Sequence, residues 1–124
     1  KFQYNIEMSR YYLYNKEEVD KRYRKFKSLV NMSAEEMKRW KKEPCSKVAS
    51  IKIKEVINRV TRLLEKSKDS WTLRDYIDSG KVISYLSRAT RIKDSIKPAS
   101  KNCPKGKNYY ALKNWAYDRL KQRK

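Results

Sequence analysis

The sequence predicts an all-α protein: a small bundle of four to five short helices with an extended N-terminal arm and a long basic loop before the last helix. Only two glycines and three prolines occur in 124 residues, too few for the turns of a β-sandwich or barrel. Apolar residues recur at helical spacing, and polar residues followed three positions later by an acidic one mark helix starts. The length predicts one domain over 15–121, with an arm over 1–14 and a basic tail over 122–124.

The arm is predicted from the first residues. Residues 2–9 alternate apolar and polar side chains, the period of a strand with one buried face. No hairpin partner follows, and a single strand is not stable alone. We therefore expect the arm to lie against the domain or against a neighbouring molecule. Its candidate partner-binding residues are Phe2, Tyr4, Ile6, Tyr11, Tyr12 and Tyr14.

Two helices are predicted next. The first covers roughly 16–30, and Asn15, with an acidic residue three positions on, has the spacing of a capping box. Its apolar face would consist of Val19, Tyr23, Phe26 and Val30. The second helix starts at the box formed by Ser33 and Glu36 and ends before Pro44, because proline restricts the residue that precedes it.

A third helix is predicted from about Ser50, where the apolar stripe is the most regular in the chain. Glu55 and Arg59 are spaced to pair on its exposed flank. The stripe consists of Ile53, Val56, Ile57, Val60, Leu63 and Leu64. Residues 66–70 interrupt the helical pattern.

A fourth helix follows, and its start is predicted by Thr72 with Asp75 three positions on. Gly80 lies inside this helix, and we interpret it as a site of close helix packing rather than a break. Residues 93–108 contain five lysines, two prolines and a glycine without an apolar stripe, which predicts a basic loop. Loops of that length are usually functional or disordered. The last helix is predicted from about Tyr109 to Leu120.

No catalytic site is predicted. The chain has no histidine, no glycine-rich phosphate loop and no carboxylates at metal-ligand spacing, and Asp75 and Asp78 are interpreted as ordinary helix residues. Cys45 and Cys103 are too few and too far apart for a metal site, so we predict free structural thiols, with a mutual disulfide as the alternative. The sequence thus predicts no enzyme, no metal and no cofactor. It leaves open a metal-dependent nuclease whose carboxylates converge from distant segments.

The charge of the chain predicts an anionic partner. Thirty-three Lys and Arg stand against fourteen Asp and Glu, a net charge of +19 whose self-repulsion a polyanion would neutralise. No helix shows the features of a helix-turn-helix, zinc finger or zipper, so we expect contacts to phosphates and low sequence specificity. The candidate nucleic-acid-binding residues are Lys21, Arg22, Arg24, Lys25, Lys38, Arg39, Lys41, Lys42, Arg88, Arg91, Lys93, Lys97, Lys101, Lys105 and Lys107.

The tryptophans and the hydropathy complete the predictions. Trp40, Trp71 and Trp115 lie on apolar stripes or at helix starts, so packing is predicted for them over base stacking. No run approaches the ~20 apolar residues that span a bilayer, and no secretory signal is visible. We expect an intracellular location, in cytoplasm or nucleoid, or a virion if the protein is viral.

Four segments carry a resemblance: 31–40, 71–76, 83–88 and 110–118. Over roughly 31–121 the chain resembles a family of small uncharacterised bacterial proteins, sometimes labelled DNA-binding, with similar proteins in phages and large DNA viruses. The most specific match is Leu112-Lys113-Asn114-Trp115-Ala116-Tyr117-Asp118, in which Ala116 replaces the family's usual glycine. The resemblance implies a small helical domain and association with DNA, and it brings no catalytic residue. The tyrosine-rich start and the basic loop depart from the bacterial members.

Two functions are therefore predicted from different classes. The first is a nucleic-acid-binding protein of low specificity, with DNA favoured over RNA and no membrane partner. The alternative is a structural component of a large assembly, such as a minor capsid or cement protein of a virion or a part of a ribosome-like particle. In that case the arm would contact neighbouring proteins, and the positive charge would meet acidic protein surfaces or a packaged genome.

Overall fold

A computed structural model of the chain describes residues 11–49 and 53–121. These residues form six α-helices: α1 (Tyr11–Tyr14), α2 (Lys16–Leu29), α3 (Ala34–Lys41), α4 (Ile53–Glu65), α5 (Leu73–Ala89) and α6 (Lys107–Asn114). Short 3₁₀ turns lie at Pro44–Lys47, Lys68–Ser70 and Arg119–Lys121. The described residues contain no strand, only an isolated bridge between Ser100 and Cys103. The prediction of an all-α fold is confirmed.

The capping boxes predicted for α3 and α5 are present. The Ser33 hydroxyl accepts a hydrogen bond from the Glu36 backbone at 3.1 Å, and the Glu36 carboxylate accepts one from the Ser33 backbone at 2.8 Å. Thr72 and Asp75 make the same reciprocal pair. Each box satisfies two backbone N–H groups that the first helical turn leaves unpaired. These local signals fix the starts of both helices.

The predicted end of the arm is wrong, because Tyr11–Tyr14 form α1 instead of continuing an extended segment. The predicted side-chain cap at Asn15 is wrong for the same reason: its amide donates to the Tyr11 carbonyl at 3.1 Å, at the end of α1. The candidates Phe2, Tyr4 and Ile6 and the rest of the predicted arm lie outside the described residues.

The core lies where α2 packs against α5 and α3 packs against α4. Trp71 is completely buried and meets the rings of Tyr23 and Phe26 edge-on, with centroids 5.4 and 6.0 Å away. Trp40 is buried as well, whereas Trp115 is half-buried and stacks on another ring. The tryptophans therefore pack, as predicted. The core also includes Val19, Met37, Ile57, Val60, Leu63, Val82, Leu86 and Leu112.

Gly80 lies against the Arg22 side chain of α2, and α5 continues through the glycine without a break. The Arg22 guanidinium lies above it and donates to the Tyr76 carbonyl at 2.6 Å, and its carbon is 3.9 Å from the centre of the Tyr76 ring. A Cβ atom at Gly80 would lie only 2.6 Å from Nη1 of Arg22. The predicted close packing is confirmed.

The last helix ends at Asn114, so the prediction that it reaches Leu120 is wrong. Ala116 adopts a left-handed conformation, with φ of 71°. The Tyr117 N–H donates to the Leu112 carbonyl at 3.0 Å and the Ala116 N–H to the Lys113 carbonyl at 3.0 Å, which is the Schellman pattern of a helix end. Glycine usually occupies the left-handed position of this pattern. Because alanine stands there in this chain, the sequence carries no signal for the helix end.

We predict that Ala116→Val destabilises the protein by about 2 kcal/mol. A β-branched residue is strained at positive φ, and Ala116 is completely buried, so the extra methyl groups have no space. Ala116→Gly should stay within about 1 kcal/mol of the parent, because relief of the left-handed strain offsets the lost methyl group. Urea unfolding of both variants measures the difference. Equal stability of the valine and glycine variants would contradict the assigned helix end.

The segment between α5 and α6 contains the predicted basic loop, and it is folded. Cys103 forms a disulfide with Cys45, so the prediction of free thiols is wrong and the alternative is correct. The loop folds back on itself through a hydrogen bond of 2.8 Å from the Ala99 N–H to the Lys105 carbonyl. Its start is held by Arg119, which donates to the carbonyls of three residues, Ala89, Thr90 and Ile92.

Candidate nucleic-acid interface

A groove of about 700 Å³ lies between α3, the 3₁₀ turn Pro44–Lys47 and α4, and we name it the α3–α4 groove. Six basic side chains and a single acidic one line it. The lining residues are Lys38, Lys41, Lys42, Lys47, Lys54, Asn58, Thr61, Arg62 and Glu65. A concave surface of one sign concentrates the electric field, so the groove attracts anions.

Four of these lysines have no acidic partner in the part of the chain that the structure describes. Glu65 binds Lys38 at 2.6 Å, and this hydrogen bond raises the pKa of Lys38 above its ordinary value. Among the described residues, no carboxylate lies within 4.0 Å of the other four ammonium groups, which are those of Lys41, Lys42, Lys47 and Lys54. Like charges that share a concave surface repel one another, so a bound anion would lower the energy of the groove.

The α4 wall of the groove is held in place by a buried charge cluster. Arg62 donates from Nε to Asp75 at 3.1 Å and from Nη2 to Asp78 at 2.7 Å, and Lys66 donates to Asp75 at 2.6 Å. The two carboxylates are only 1% and 2% exposed. Arg62 is therefore neutralised from the α5 side, and it orients α4 rather than serving as a free cation.

The interpretation of Asp75 and Asp78 as ordinary helix residues is wrong. Their spacing of three puts both on one face of α5, toward the basic face of α4. Arg59 contacts this cluster too, with Nε 3.8 Å from Asp78, instead of the Glu55 partner predicted from sequence. Arg59 and Arg62 on α4 are three positions apart, as are Asp75 and Asp78 on α5, and these matching spacings were a sequence signal for the cluster.

The cluster also sets the pKa values of its members. Burial alone would raise the pKa of Asp75, but hydrogen bonds from Lys66 and the Thr72 backbone, and the charge of Lys66, outweigh it and lower the pKa below its ordinary value of 3.8. Burial alone would lower the pKa of Arg62, but the hydrogen bonds to both aspartates raise it. Both groups are therefore charged at neutral pH.

The predicted basic residues at and near α3 lie in two different grooves. Lys38, Lys41 and Lys42 line the α3–α4 groove. Arg39 instead lines a separate groove that contains Glu36, Glu43 and Asp118. These three carboxylates make the second groove a poor phosphate site, so Arg39 is not brought together with the lysines.

The predicted basic residues of α2 lie elsewhere. Lys21, Arg22 and Lys25 line a groove with Tyr76 and Ile83 of α5. Arg22 is occupied, because its guanidinium binds the Tyr76 carbonyl and covers the Tyr76 ring. It is therefore a packing residue. Arg24 is exposed, as Lys21 and Lys25 are.

The predicted basic residues from the last turn of α5 onward are exposed but do not line one common groove. Arg88 folds back on its own helix and donates to the Ser84 carbonyl at 3.2 Å. Lys97 and Lys107 line a small pocket of about 220 Å³ in the loop. The Lys105 ammonium lies 5.9 Å from the centre of the Tyr109 ring. The remaining exposed candidates of this group are Arg91, Lys93 and Lys101.

Several groove residues were missed by sequence reasoning. Lys54, Asn58 and Thr61 lie four and three positions apart and form a polar stripe along α4, beside its apolar stripe, and Thr61 is buried. This periodicity was readable, but the stripe becomes a wall only because α3 packs beside it. Lys47 was missed because it lies in the 3₁₀ turn, outside the predicted helices.

The tyrosines predicted as partner contacts separate into two kinds. Tyr11 packs against Tyr76, with ring centroids 5.3 Å apart, and Tyr12 is half-buried. Tyr14 is 74% exposed, and its neighbour Leu13 is 62% exposed. Within the described residues, the end of α1 is thus the part of the tyrosine cluster that faces outward.

Comparisons of the chain with protein-family models, curated proteins and solved structures found no match. The resemblance of residues 31–121 to a bacterial family therefore stays a prediction. Across the described residues, no helix is long and apolar enough to cross a membrane. In the same part of the chain, no three Cys, Asp or Glu side chains come together in a group that could hold a metal ion.

Proposed function

We propose that this protein binds nucleic acid through its phosphates, with low sequence specificity and with DNA favoured over RNA. The observation that carries the proposal is the α3–α4 groove, where four lysines lack a carboxylate partner among the described residues. Lysine is a compact point charge that suits phosphate oxygens, whereas base reading relies on the bidentate geometry of arginine, asparagine or glutamine. The preference for DNA rests on the resemblance of residues 31–121 to proteins labelled DNA-binding.

A polymeric anion fits the molecule better than a small one. The net charge is +19, and exposed lysines lie on α2 and in the loop as well as in the groove. A single phosphate in the groove would leave most of this charge uncompensated. A nucleic acid presents phosphates at regular intervals, and each lysine that meets one releases a counterion.

We predict that Lys42→Gln/Lys47→Gln weakens binding to a labelled DNA duplex roughly tenfold at moderate salt. The matched control is Lys68→Gln/Lys81→Gln, which removes the same charge from two lysines that face Asp20 and Asp78. Fluorescence anisotropy from 50 to 200 mM salt measures both. The salt slope should fall by about two for the groove variant and stay near the parent value for the control.

The outcomes distinguish affinity that depends on the α3–α4 groove from affinity that depends on net charge alone. Failure of the parent to bind duplex at 50 mM salt would contradict the proposed function. Equal weakening by both variants would show that net charge, not the α3–α4 groove, determines affinity. An RNA duplex of the same sequence tests the preference for DNA, and two unrelated DNA sequences of equal affinity would support low specificity.

A role as a structural component of a large assembly is the second candidate, and the exposed Leu13 and Tyr14 favour it. These two side chains lie at the end of α1, within the last residues of the predicted arm, and both would gain from burial by a neighbouring protein. In that case the isolated chain would bind DNA poorly, and deletion of residues 1–14 would abolish incorporation into the assembly. A nucleic-acid binder would keep its duplex affinity after the same deletion.

A further inference from the structure

The disulfide joins the α3–α4 groove to the basic loop. Cys45 lies in the 3₁₀ turn, two residues before Lys47, and Cys103 lies two residues after Lys101 in the loop. The Cα atoms of the two cysteines are 5.7 Å apart. Two residues extend the chain by at most ~7 Å, so the Cα atoms of Lys47 and Lys101 are at most about 20 Å apart. Two lysine groups distant in sequence are thus neighbours in space.

A second contact supports this placement. The Tyr110 hydroxyl accepts a hydrogen bond from the Lys105 backbone at 3.0 Å, and the Tyr110 ring stacks on Trp40 of α3, with centroids 6.0 Å apart. The other face of the loop is held at the disulfide, where Cys45 Sγ lies 3.6 Å from the Asn102 carbonyl. The loop therefore packs on the side of the molecule that also carries α3 and the 3₁₀ turn.

The loop lysines near the bridge are available to a ligand. Lys101 and Lys105 are exposed, and no carboxylate of the described residues forms an ion pair with either. They flank Cys103 as Lys42 and Lys47 flank Cys45. Each cysteine of the bridge thus has, within three residues on either side, two lysines that form no ion pair with a described carboxylate.

We propose that Lys42, Lys47, Lys101 and Lys105 form one composite phosphate-binding surface, and that the Cys45–Cys103 disulfide holds its two halves together. This inference rests on the proposed function and deepens it by naming the surface and its dependence on the bridge. With a rise of 3.4 Å per nucleotide along one strand, the upper limit of about 20 Å corresponds to at most roughly six nucleotides. A DNA segment of that length therefore reaches both halves of the surface, whereas a mononucleotide carries its charge at one point only.

Opening the bridge removes the covalent link between the two halves. The thiolate of a small thiol attacks one cysteine sulfur, forms a mixed disulfide with it and expels the other sulfur as a thiolate, which takes up a proton. A second thiol then releases the first cysteine, so that two thiols are oxidised to their disulfide and both cysteines are reduced. The bonds within the loop, such as that from Ala99 to Lys105, remain. Only the covalent link of Lys101 and its neighbours to the groove is lost.

The experiment compares variants of the full chain with a labelled duplex of about twelve base pairs by anisotropy across salt. With the bridge intact, Lys101→Gln/Lys105→Gln should weaken binding about tenfold and lower the salt slope by about two, as the groove variant does. Cys45→Ser/Cys103→Ser should weaken binding about threefold or more, because the loop lysines no longer meet the same DNA. Circular dichroism at the assay temperature verifies that each variant is folded.

Each outcome supports or contradicts either the composite surface or the proposed function. If the parent binds and only the groove variant is weakened, the composite surface is wrong and the proposed function stands. If the parent does not bind at 50 mM salt, the proposed function fails. Where the serine variant is unfolded at the assay temperature, the loop-lysine variant alone decides, since its bridge is intact. Binding of two duplexes per chain, each weakened by one pair of substitutions, would show two separate surfaces and overturn the inference.

Discussion

Loss of the Cys45–Cys103 bond is expected to lower the free energy of unfolding by about 4 kcal/mol. The bond joins residues separated by 58 positions, and closing a loop of that length removes much of the conformational entropy of the unfolded chain. The double variant Cys45→Ser/Cys103→Ser tests the value. Guanidinium unfolding at pH 7, followed by circular dichroism, gives the free energy for variant and parent.

Reduction of the parent protein provides the control. The reduced parent and the serine variant lack the same cross-link, so their unfolding free energies should agree within about 1 kcal/mol, and both should show a larger dependence on denaturant because the open unfolded chain exposes more surface. A loss below about 1 kcal/mol in both would show that the bridge fixes the loop without stabilising the fold.

Asp75→Ala is expected to destabilise the protein by about 3–5 kcal/mol. The substitution removes the carboxylate that Lys66 contacts and one of the two carboxylates that Arg62 contacts. It also removes the side chain that caps the first turn of α5. Asp69→Ala is the matched control, because Asp69 is an exposed residue of a 3₁₀ turn. It should change stability by no more than about 0.5 kcal/mol. Urea unfolding at pH 7 measures both variants.

The difference in unfolding free energy between the parent and Asp75→Ala is predicted to depend on pH. The pKa of Asp75 is lower in the folded protein than its ordinary value of 3.8, so the folded state favours the charged carboxylate. The stabilisation is complete well above 3.8 and is lost as the pH falls through the folded pKa. The stability gap between the parent and Asp75→Ala should therefore narrow below about pH 4. A gap that stays constant from pH 7 to pH 2 would contradict a role for the charged form.

The helices could be predicted where their signals are local. The boxes at Ser33 and Thr72 lie within four residues of the backbone groups they cap, and the apolar stripe of α4 is readable from spacing alone. The end of α6 could not be predicted, because Ala116 takes a backbone conformation for which alanine gives no signal. The disulfide could not be predicted for another reason, because whether Cys45 contacts Cys103 depends on how the whole chain packs.

The candidate site could be predicted only in part. Lys38, Lys41 and Lys42 cluster in the sequence and share the α3–α4 groove, so counting nearby charges found them. The opposite wall, with Lys54, comes from a helix that is separate in sequence, and its place is set by packing. Counting charges also misassigned Arg22, which is turned toward α5 by the Tyr76 ring and carbonyl. Net charge predicts an anionic partner, whereas packing decides which lysines and arginines lie in the candidate site.

The contact between Asn31 and Asp118 has a consequence for biosynthesis. The Asn31 amide donates to the Asp118 carbonyl at 2.9 Å and accepts from the Asp118 N–H at 2.8 Å, across a separation of 87 residues. Contacts this distant form late, since the intervening chain must first be ordered. A ribosome must therefore translate the chain as far as Asp118 before the link between α2 and α3 finds its partner. Nascent chains arrested before Asp118 would present an incomplete bundle to chaperones and proteases.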